Sequence, residues 1–146
     1  MNSTVVFIIP PAAPLPRVLI PMVQSLLPAG FPSPADDFAV KRHDLNELLV
    51  THPAATFMWR VSGQSMIEAG IFDGDVIVVN RALTPAHRDI VVAQVDGEFT
   101  VKYLHKRADR VKLLPANPTY PAITFREGQQ LIIVGVVTAT IKRFRQ

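Results

Sequence analysis

Short runs of apolar and β-branched residues make up most of the chain after residue 55, and turn-forming residues separate them. Runs of this length and composition are typical of β-strands. The turn signals are Asp73-Gly74, Asp96-Gly97 and Asn117-Pro118. The predicted strands are 56–61, 76–80, 90–95, 98–104, 111–114 and 131–141. The pattern predicts a mainly β, twisted antiparallel fold without an internal repeat or a second domain.

One of these signals, Asp96-Gly97, has the length and composition of a two-residue hairpin loop. It joins strand 90–95 to the strand that carries Lys102, and the loop thereby fixes the register of that strand. Side chains alternate between the two faces of a strand. We therefore expect Lys102 to share a face with Thr100 and Leu104.

The N-terminal part of the chain has a different pattern, because prolines interrupt it between residues 10 and 21. A proline inside a helix removes a hydrogen bond and kinks the helix. Residues 1–28 are therefore predicted to form an extended arm, and the breaker cluster 28–34 is predicted to continue it in an exposed conformation.

A single short helix is predicted after this arm. Asp44-Leu45-Asn46-Glu47 has the spacing of a capping box, with Asp44 as the N-cap and the Glu47 side chain reaching back to it. The leucines that follow would give the helix one apolar face. We expect it to end near His52-Pro53, because proline cannot continue a helix.

Composition bounds the class of protein. The chain has 146 residues, of which 49% are hydrophobic, which is enough for one compact domain with an arm. It has no cysteine, which excludes a disulfide scaffold or a thiolate zinc site and fits a reducing cytoplasm. No apolar run reaches the roughly 18 residues of a membrane span, and the start lacks the pattern of a secretory signal. We therefore expect a soluble, cytoplasmic protein.

Charge adds little to this picture. The net charge is +3, and basic residues cluster between residues 102 and 112 and near the C-terminus. A solvated basic face is favoured over a nucleic-acid groove, because no basic stripe interleaved with aromatic residues and no DNA-reading motif is present.

Ser65 and Lys102 are the residues with the clearest chemical potential. A serine hydroxyl is a poor nucleophile until a neighbouring base removes its proton. A lysine amine can be that base only where an apolar setting keeps it neutral, and Lys102 stands in an apolar and aromatic stretch. On the local sequence alone, Ser65 could be an ordinary turn serine, and Lys102 could face solvent or pair with Asp96 or Glu98.

The segment around Ser65 also suggests an oxyanion hole. Ser65 follows a turn that contains glycine, and such a turn can expose a hydroxyl and direct nearby backbone N–H groups at one point. The N–H groups of Gln64 and Ser65 are the candidates, because acyl transfer needs donors where negative charge develops. Met66 is expected to pack beneath them.

The four histidines are rival candidates for catalysis. His87 with Asp89, or His43 with Asp44, could in principle supply part of a Ser-His-Asp triad. Acids this close to a histidine in sequence usually point away from it, and no pair has metal-ligand spacing such as His-Glu-x-x-His. A surface role is therefore favoured for all four histidines, namely His43, His52, His87 and His105.

Several further motifs accompany Ser65 and Lys102 along the chain. They are Ala29-Gly30-Phe31-Pro32-Ser33-Pro34-Ala35, Asp44-Leu45-Asn46, Ser62-Gly63-Gln64-Ser65-Met66, Asp96-Gly97-Glu98-Phe99-Thr100-Val101-Lys102 and Gly135-Val136-Val137. From about Ala29 to its end, the chain resembles the LexA/UmuD family of self-cleaving serine–lysine peptidases, and the UmuD type most closely. The resemblance implies the twisted antiparallel β-fold of the LexA/UmuD C-terminal peptidase domain, with one short helix and an extended N-terminal arm.

The resemblance also implies roles for particular residues. Ser65 would be the nucleophile and Lys102 the general base, and Ala29-Gly30 would be the dipeptide that the protein cuts in itself. UmuD commonly carries a cysteine where Ala29 stands, and both residues are small. Cleavage would separate the arm, residues 1–29, from the peptidase domain, residues 30–146. On local sequence alone, this segment could be a simple linker.

Partners follow from the same resemblance. The trigger would be the RecA–single-stranded DNA filament that forms after DNA damage. The trimmed protein would act as a homodimer and an accessory subunit of an error-prone, UmuC-like Y-family polymerase in translesion synthesis. No cofactor, metal, membrane contact or direct sequence-specific DNA binding is implied.

Three alternatives remain. A LexA-like or phage-type repressor would need a helix-turn-helix domain before the cleavage site, and the arm is too short and proline-rich for one. A non-catalytic polymerase accessory could keep the fold and use it only to dimerise, and an intact serine–lysine pair argues against it. A signal-peptidase-like enzyme would be expected to carry a membrane anchor.

Overall fold

The computed structural model describes residues 16–32, 34 and 39–145. Residues 1–15 of the predicted arm lie outside the described residues, as do Ser33 and Ala35 of the first motif. Packing divides the chain into two compact units, with the division between Thr51 and His52. Strands dominate the described part, which contains one short α-helix. All recorded strand pairs are antiparallel, as the sequence predicted.

The N-terminal unit contains a strand pair that the sequence did not predict. Strand β1 is Leu19–Val23 and strand β2 is Val40–Asp44, and they form a two-stranded antiparallel sheet. Pro21 lies within β1, opposite Arg42. Proline is tolerated there because each strand of a two-stranded sheet has an edge that needs no donor.

The predicted helix is present. Of its predicted capping box, the Asp44 cap is confirmed and the bond from Glu47 is wrong. Helix α1 is Leu45–Leu49, and the Asp44 carboxylate accepts a hydrogen bond from the Asn46 N–H at 2.8 Å. The Glu47 side chain does not complete the box. It forms two contacts with the Arg17 guanidinium, at 2.9 and 3.1 Å. A guanidinium offers a carboxylate two charged donors, whereas the cap offers one neutral backbone N–H.

The second unit is built on one seven-stranded sheet with the order β3-β4-β9-β5-β6-β7-β8. Its strands are β3 Thr56–Arg60, β4 Val76–Asn80, β5 Ile90–Val95, β6 Glu98–Arg107, β7 Arg110–Leu114, β8 Ile123–Thr124 and β9 Leu131–Ile141. Two short 3-10 turns, Pro53–Ala55 and Ile67–Ala69, connect strands. The sequence predicted each of these strands except β8, which has only two residues.

The hairpin loop between β5 and β6 is the predicted one. Asp96 and Gly97 both have positive φ angles, of 48° and 87°, as a type I′ turn requires. The register that follows places Val91 opposite Lys102. Lys102 is buried, as is Leu104 two residues further along β6.

The sheet packs apolar side chains on both faces. Val92 of β5 belongs to a cluster with Met66 and Ile77, while its neighbours Val91 and Ala93 belong to a second cluster. One residue of β9 has no room for a side chain. A Cβ atom on Gly135 would lie 2.7 Å from Cγ1 of Val79, so glycine permits the close approach of β9 to β4.

Candidate active site

Ser65 lies in the loop that follows β3. Gly63 has φ of 93°, a conformation that glycine adopts without strain. Its N–H donates a 2.7 Å hydrogen bond to the Asp73 carboxylate. A second loop is attached at the same place, because the Val61 N–H donates to the Asp75 carbonyl and the Gly74 N–H donates to the Val61 carbonyl, each at 2.8 Å. The chain before Ser65 is thus fixed to residues 73–75.

Asp75 anchors this second loop to the end of β9. Its carboxylate accepts hydrogen bonds from the Phe72 N–H at 2.9 Å and the Thr140 hydroxyl at 3.4 Å, and it forms an ion pair with Lys142. Burial alone would raise the pKa of Asp75, but the bonds from Lys142 and the Phe72 N–H outweigh it and lower that pKa. The carboxylate therefore stays ionised at neutral pH and holds the loop in place.

The segment after β7 holds Ser65 from the other side. The Ala116 N–H donates to the Ser65 carbonyl at 2.7 Å, and the Asn117 amide donates to the Gln64 carbonyl at 2.9 Å. Asn117 is buried, and its own oxygen accepts from the Thr119 N–H and hydroxyl. Met66 is only 2% exposed and packs in the core, as expected. The loop that carries Ser65 is therefore held at both ends.

Lys102 meets Ser65 at this point. Its Nζ lies 2.8 Å from the Ser65 Oγ, 2.8 Å from the Thr100 Oγ1 and 3.0 Å from the Val101 carbonyl oxygen. The residue is 8% exposed. No carboxylate of the described residues pairs with it; the Asp96 carboxylate instead accepts hydrogen bonds from Gln129 and Gln130.

These surroundings favour the neutral amine. Burial lowers the pKa of Lys102, because removing water disfavours the charged form. A neutral amine has two N–H donors and one lone pair. The two donors match the Thr100 Oγ1 and the Val101 carbonyl, and the lone pair matches the Ser65 hydroxyl proton. The three contacts of Nζ are therefore those that a general base acting on Ser65 needs.

The backbone N–H groups of Gln64 and Ser65 form no hydrogen bond within the part of the chain that the structure describes. Gln64 is exposed and Ser65 is half-buried. In a trans peptide the carbonyl and the following N–H point in opposite directions. Because Asn117 holds the Gln64 carbonyl, it also fixes the direction of the Ser65 N–H.

A cleft of about 180 Å³ opens beside these groups, and Ser65, Thr100 and Val101 are among the residues that line it. Trp59 and Phe99 form an aromatic wall, with ring centroids 5.1 Å apart. The cleft is thus bounded by β3 on one side and by the strand of the lysine on the other.

The expected cleavage dipeptide lies in the N-terminal unit. Ala29 and Gly30 are exposed, and they occupy a bend in the chain between β1 and β2. A Cβ atom added at Gly30 would meet no atom within 4 Å. A side chain at position 30 would therefore have open space around its Cβ atom.

The histidines are occupied elsewhere. His52 Nδ1 lies 2.9 Å from the Asn80 amide, and His87 Nδ1 accepts a 3.0 Å hydrogen bond from the Lys106 N–H. The His87 and His105 rings are in edge contact, and His43 is half-buried in β2. Among the described residues, no histidine hydrogen-bonds to Ser65, and no group of three His, Cys, Asp or Glu residues could hold a metal ion. No helix in the same residues is long and apolar enough to cross a membrane.

Comparison with known families identifies the class of protein. A family model described as Peptidase S24-like matches residues 21–138. The chain therefore belongs to the Peptidase S24-like family, and the resemblance of its motifs to the LexA/UmuD peptidases is confirmed. Its mainly antiparallel β architecture is consistent with the fold of this family.

Individual relatives narrow the class to the UmuD type. The chain is 47% identical to Protein SamA of Salmonella typhimurium strain LT2 over 125 residues, which is 86% of each chain. It is 44% identical to Protein MucA of Escherichia coli over 123 residues, which is 84% of each chain. It is also 46% identical to the LexA repressor of Syntrophotalea carbinolica over 89 residues, which is 61% of this chain and 44% of that protein.

Sequence reasoning missed three residues that shape the site. Thr100 could have been found, because strand alternation already placed it on the same face as Lys102. Asn117 was interpreted as part of a turn signal, although its amide holds the Gln64 carbonyl. Asp73 was interpreted in the same way, although it binds the Gly63 N–H. No local pattern reveals the last two, because their partners lie on distant segments.

Proposed function

We propose that this chain is a serine endopeptidase that cuts itself between Ala29 and Gly30, using a Ser65–Lys102 dyad. The observation that carries the proposal is the 2.8 Å contact between the Lys102 Nζ and the Ser65 Oγ. Burial of the amine and the absence of a carboxylate partner among the described residues support it, because both keep the amine neutral.

In the first step, the neutral Lys102 amine takes the proton of the Ser65 hydroxyl as the Oγ attacks the carbonyl carbon of Ala29. The carbonyl π electrons move to oxygen and give a tetrahedral oxyanion. The N–H groups of Gln64 and Ser65 are the proposed donors to that oxygen, and the Asn117 amide keeps the Ser65 N–H in position.

Collapse of the tetrahedral intermediate breaks the bond between the Ala29 carbonyl carbon and the Gly30 nitrogen. The Lys102 ammonium returns its proton to that nitrogen, which leaves as the new N-terminus of residues 30–146. Ala29 remains bound to the Ser65 Oγ as an ester. A water molecule, deprotonated by the again neutral Lys102, then attacks the ester carbonyl. The Lys102 ammonium returns this proton to the Ser65 Oγ as the ester bond breaks and the Ala29 carboxylate leaves.

Two further residues prepare the amine for this cycle. The Thr100 hydroxyl and the Val101 carbonyl accept its N–H groups, at 2.8 and 3.0 Å. With both donors occupied, the lone pair is directed at the Ser65 Oγ. The substrate dipeptide fits the chemistry, because Ala29 and Gly30 are small and exposed and glycine leaves the approach to the bond open.

The biological setting of the proposal rests on the resemblance to UmuD and on the relatives SamA and MucA. We propose that cleavage belongs to the SOS response of the bacterial cytoplasm and that the RecA–single-stranded DNA filament triggers it. The trigger would shift the population toward the cleavage-competent state. The trimmed protein, residues 30–146, would form a homodimer and join a UmuC-like Y-family polymerase in translesion synthesis.

The test is mass spectrometry of the purified protein after incubation at about pH 10, where a lysine amine is largely neutral. We expect fragments that end at Ala29 and begin at Gly30, and their absence in Ser65→Ala and Lys102→Ala. If the wild-type chain stays intact, the incubation is repeated with the RecA filament at neutral pH. An intact chain under both conditions would refute the peptidase proposal and favour a non-catalytic polymerase accessory.

A further inference from the structure

A second cleft lies on the sheet, and Ser65 is not among the residues that line it. The loop before β5 and one end of β6 and β7 form it, with a volume of about 470 Å³. The side chains that matter are His87, Arg88, Tyr103, His105 and Arg107. This second cleft, called the basic cleft below, shares no lining residue with the cleft beside Ser65. The proposed peptidase reaction uses none of its side chains.

The basic cleft has a concentrated positive charge. Arg88 and Arg107 form no ion pair within the described residues, and no carboxylate is among the residues that line the cleft. Loss of water around His87, followed by the charges of Arg107, His105 and Arg88, lowers the pKa of its imidazole. The charges of Arg88 and Arg107 therefore both reach the same ring, and these two guanidinium groups supply the positive charge of the cleft.

The backbone of Arg88 has a strained conformation. Arg88 has φ of 76°, in the left-handed region that favours glycine. The conformation is fixed, because the Arg88 N–H donates to the Leu104 carbonyl at 2.7 Å and the Leu104 N–H donates to the Asp89 carbonyl at 2.8 Å. A strained residue with a charged side chain at a cleft points to a role in binding.

Ring systems line the same cleft. The His87 and His105 rings meet edge to face, with centroids 4.9 Å apart and an interplanar angle of 73°. Tyr103 lies beside them on β6, two residues before His105. Flat rings next to guanidinium groups are the combination on which nucleic-acid bases stack while their phosphates are neutralised.

An acidic peptide fits this place less well than a nucleic acid. A peptide would gain affinity by pairing with a free strand edge. Here β6 pairs with β7 on one side, and on the other side the loop 87–89 occupies the backbone groups of Leu104 and Lys106. Among the described residues, β6 therefore leaves no free edge at the basic cleft for an added strand.

From these observations we infer that the basic cleft binds single-stranded nucleic acid, with Arg88 and Arg107 on a phosphate group and a base stacked on the His105 ring. The binding is independent of sequence, because its contacts go to phosphate and to the faces of the bases. It is a site additional to the proposed peptidase, and either activity can exist without the other.

The test is fluorescence anisotropy of a labelled oligothymidylate with the full chain, in a Ser65→Ala background that prevents self-cleavage. For single strands, each phosphate contact contributes about −0.7 to the slope of log K against log salt. Arg88→Gly and Arg107→Gln should therefore each weaken binding by about eightfold at about 50 mM salt and reduce the slope by about 0.7. Arg88→Gly should not lower the melting temperature, because glycine relieves the strained backbone.

The matched control is Arg126→Gln, which removes the same charge from an exposed position outside the basic cleft. We expect it to leave the affinity within about twofold. His105→Ala should weaken binding of oligothymidylate by about fivefold or more and leave binding of an abasic oligomer unchanged. Equal losses for Arg126→Gln and Arg88→Gly would overturn the inference in favour of diffuse attraction. Absence of oligonucleotide binding, or preference for a poly-glutamate peptide that depends on Arg88, would also overturn it.

Discussion

Removing the hydroxyl of Thr100 should slow self-cleavage and move its pH dependence in a defined direction. Thr100→Val keeps the shape of the side chain and removes the oxygen that accepts the Lys102 N–H at 2.8 Å. A buried donor without its partner costs about 1–3 kcal/mol. If the amine recovers that energy by turning away from Ser65, the plateau rate falls by about 5-fold to 160-fold.

The shift in pH follows from which form of the amine the hydroxyl stabilises. A hydrogen bond from an ammonium is stronger than one from a neutral amine, so the Thr100 oxygen favours the charged form. Its removal should therefore lower the pKa of Lys102 further. In the proposed mechanism the cleavage rate rises with pH as Lys102 loses its proton. The midpoint of that rise should therefore move to lower pH while the plateau decreases.

The assay is the first-order rate of fragment formation between about pH 6 and pH 11, compared across wild type, Thr100→Val and Thr100→Ser. Serine retains the hydroxyl and should restore most of the rate and the original midpoint. An unchanged plateau in Thr100→Val, or a midpoint that moves to higher pH, would refute the role assigned to this hydroxyl. Matched melting temperatures would separate the effect from a loss of folding.

Three other substitutions test the structure independently. Burial lowers the pKa of Lys102. Between that lowered pKa and about 10.4, the value in the unfolded chain, the unfolded state binds more protons than the folded state. The free energy of unfolding of the wild type should therefore rise with pH through this window. Lys102→Met should be more stable than wild type at neutral pH by an amount that shrinks toward about pH 10 in urea unfolding, and a constant difference would contradict the burial. Asn117→Ala should reduce the cleavage rate by about tenfold to a hundredfold, with a pH midpoint that stays in place, since it acts on the Ser65 N–H and not on the amine. Gly135→Ala should lower the free energy of unfolding by about 1–3 kcal/mol, because its Cβ would lie 2.7 Å from Val79 Cγ1, and an unchanged urea midpoint would show that β9 and β4 can separate.

Much of the fold followed from local chemistry. Apolar runs and turn residues located β4, β5 and β9 at the bounds that the structure has. Asp96-Gly97 fixed the hairpin, since few residue pairs adopt two successive positive φ angles. The pair β1 and β2 was missed because Pro21 indicates a break in most contexts and is acceptable only where a strand has a free edge.

The site was predictable in part. Ser65 and Lys102 could be found from motifs and from the apolar setting of the lysine, and their contact fits that expectation. Asn117 could not, because a buried amide is recognised only through the carbonyl that it meets 53 residues away in sequence. Arg88 and Arg107 likewise share a cleft only because β6 returns beside the loop that precedes β5. Contacts between residues so far apart in sequence depend on the tertiary structure, which local sequence patterns do not encode.

The bonds that position Ser65 have a consequence for how the proposed self-cleavage would be controlled. Its loop is held by Asp73, Asp75, Ala116 and Asn117, and its base is held by Thr100 and Val101. All of these residues follow His52, where the second unit begins. The proposed dyad and the described groups that position it therefore all lie outside the segment that it is proposed to cut. We therefore expect control of the proposed reaction to act on the delivery of the scissile bond, and residues 52–146 supplied with a peptide containing Ala29-Gly30 should cut that peptide without this control.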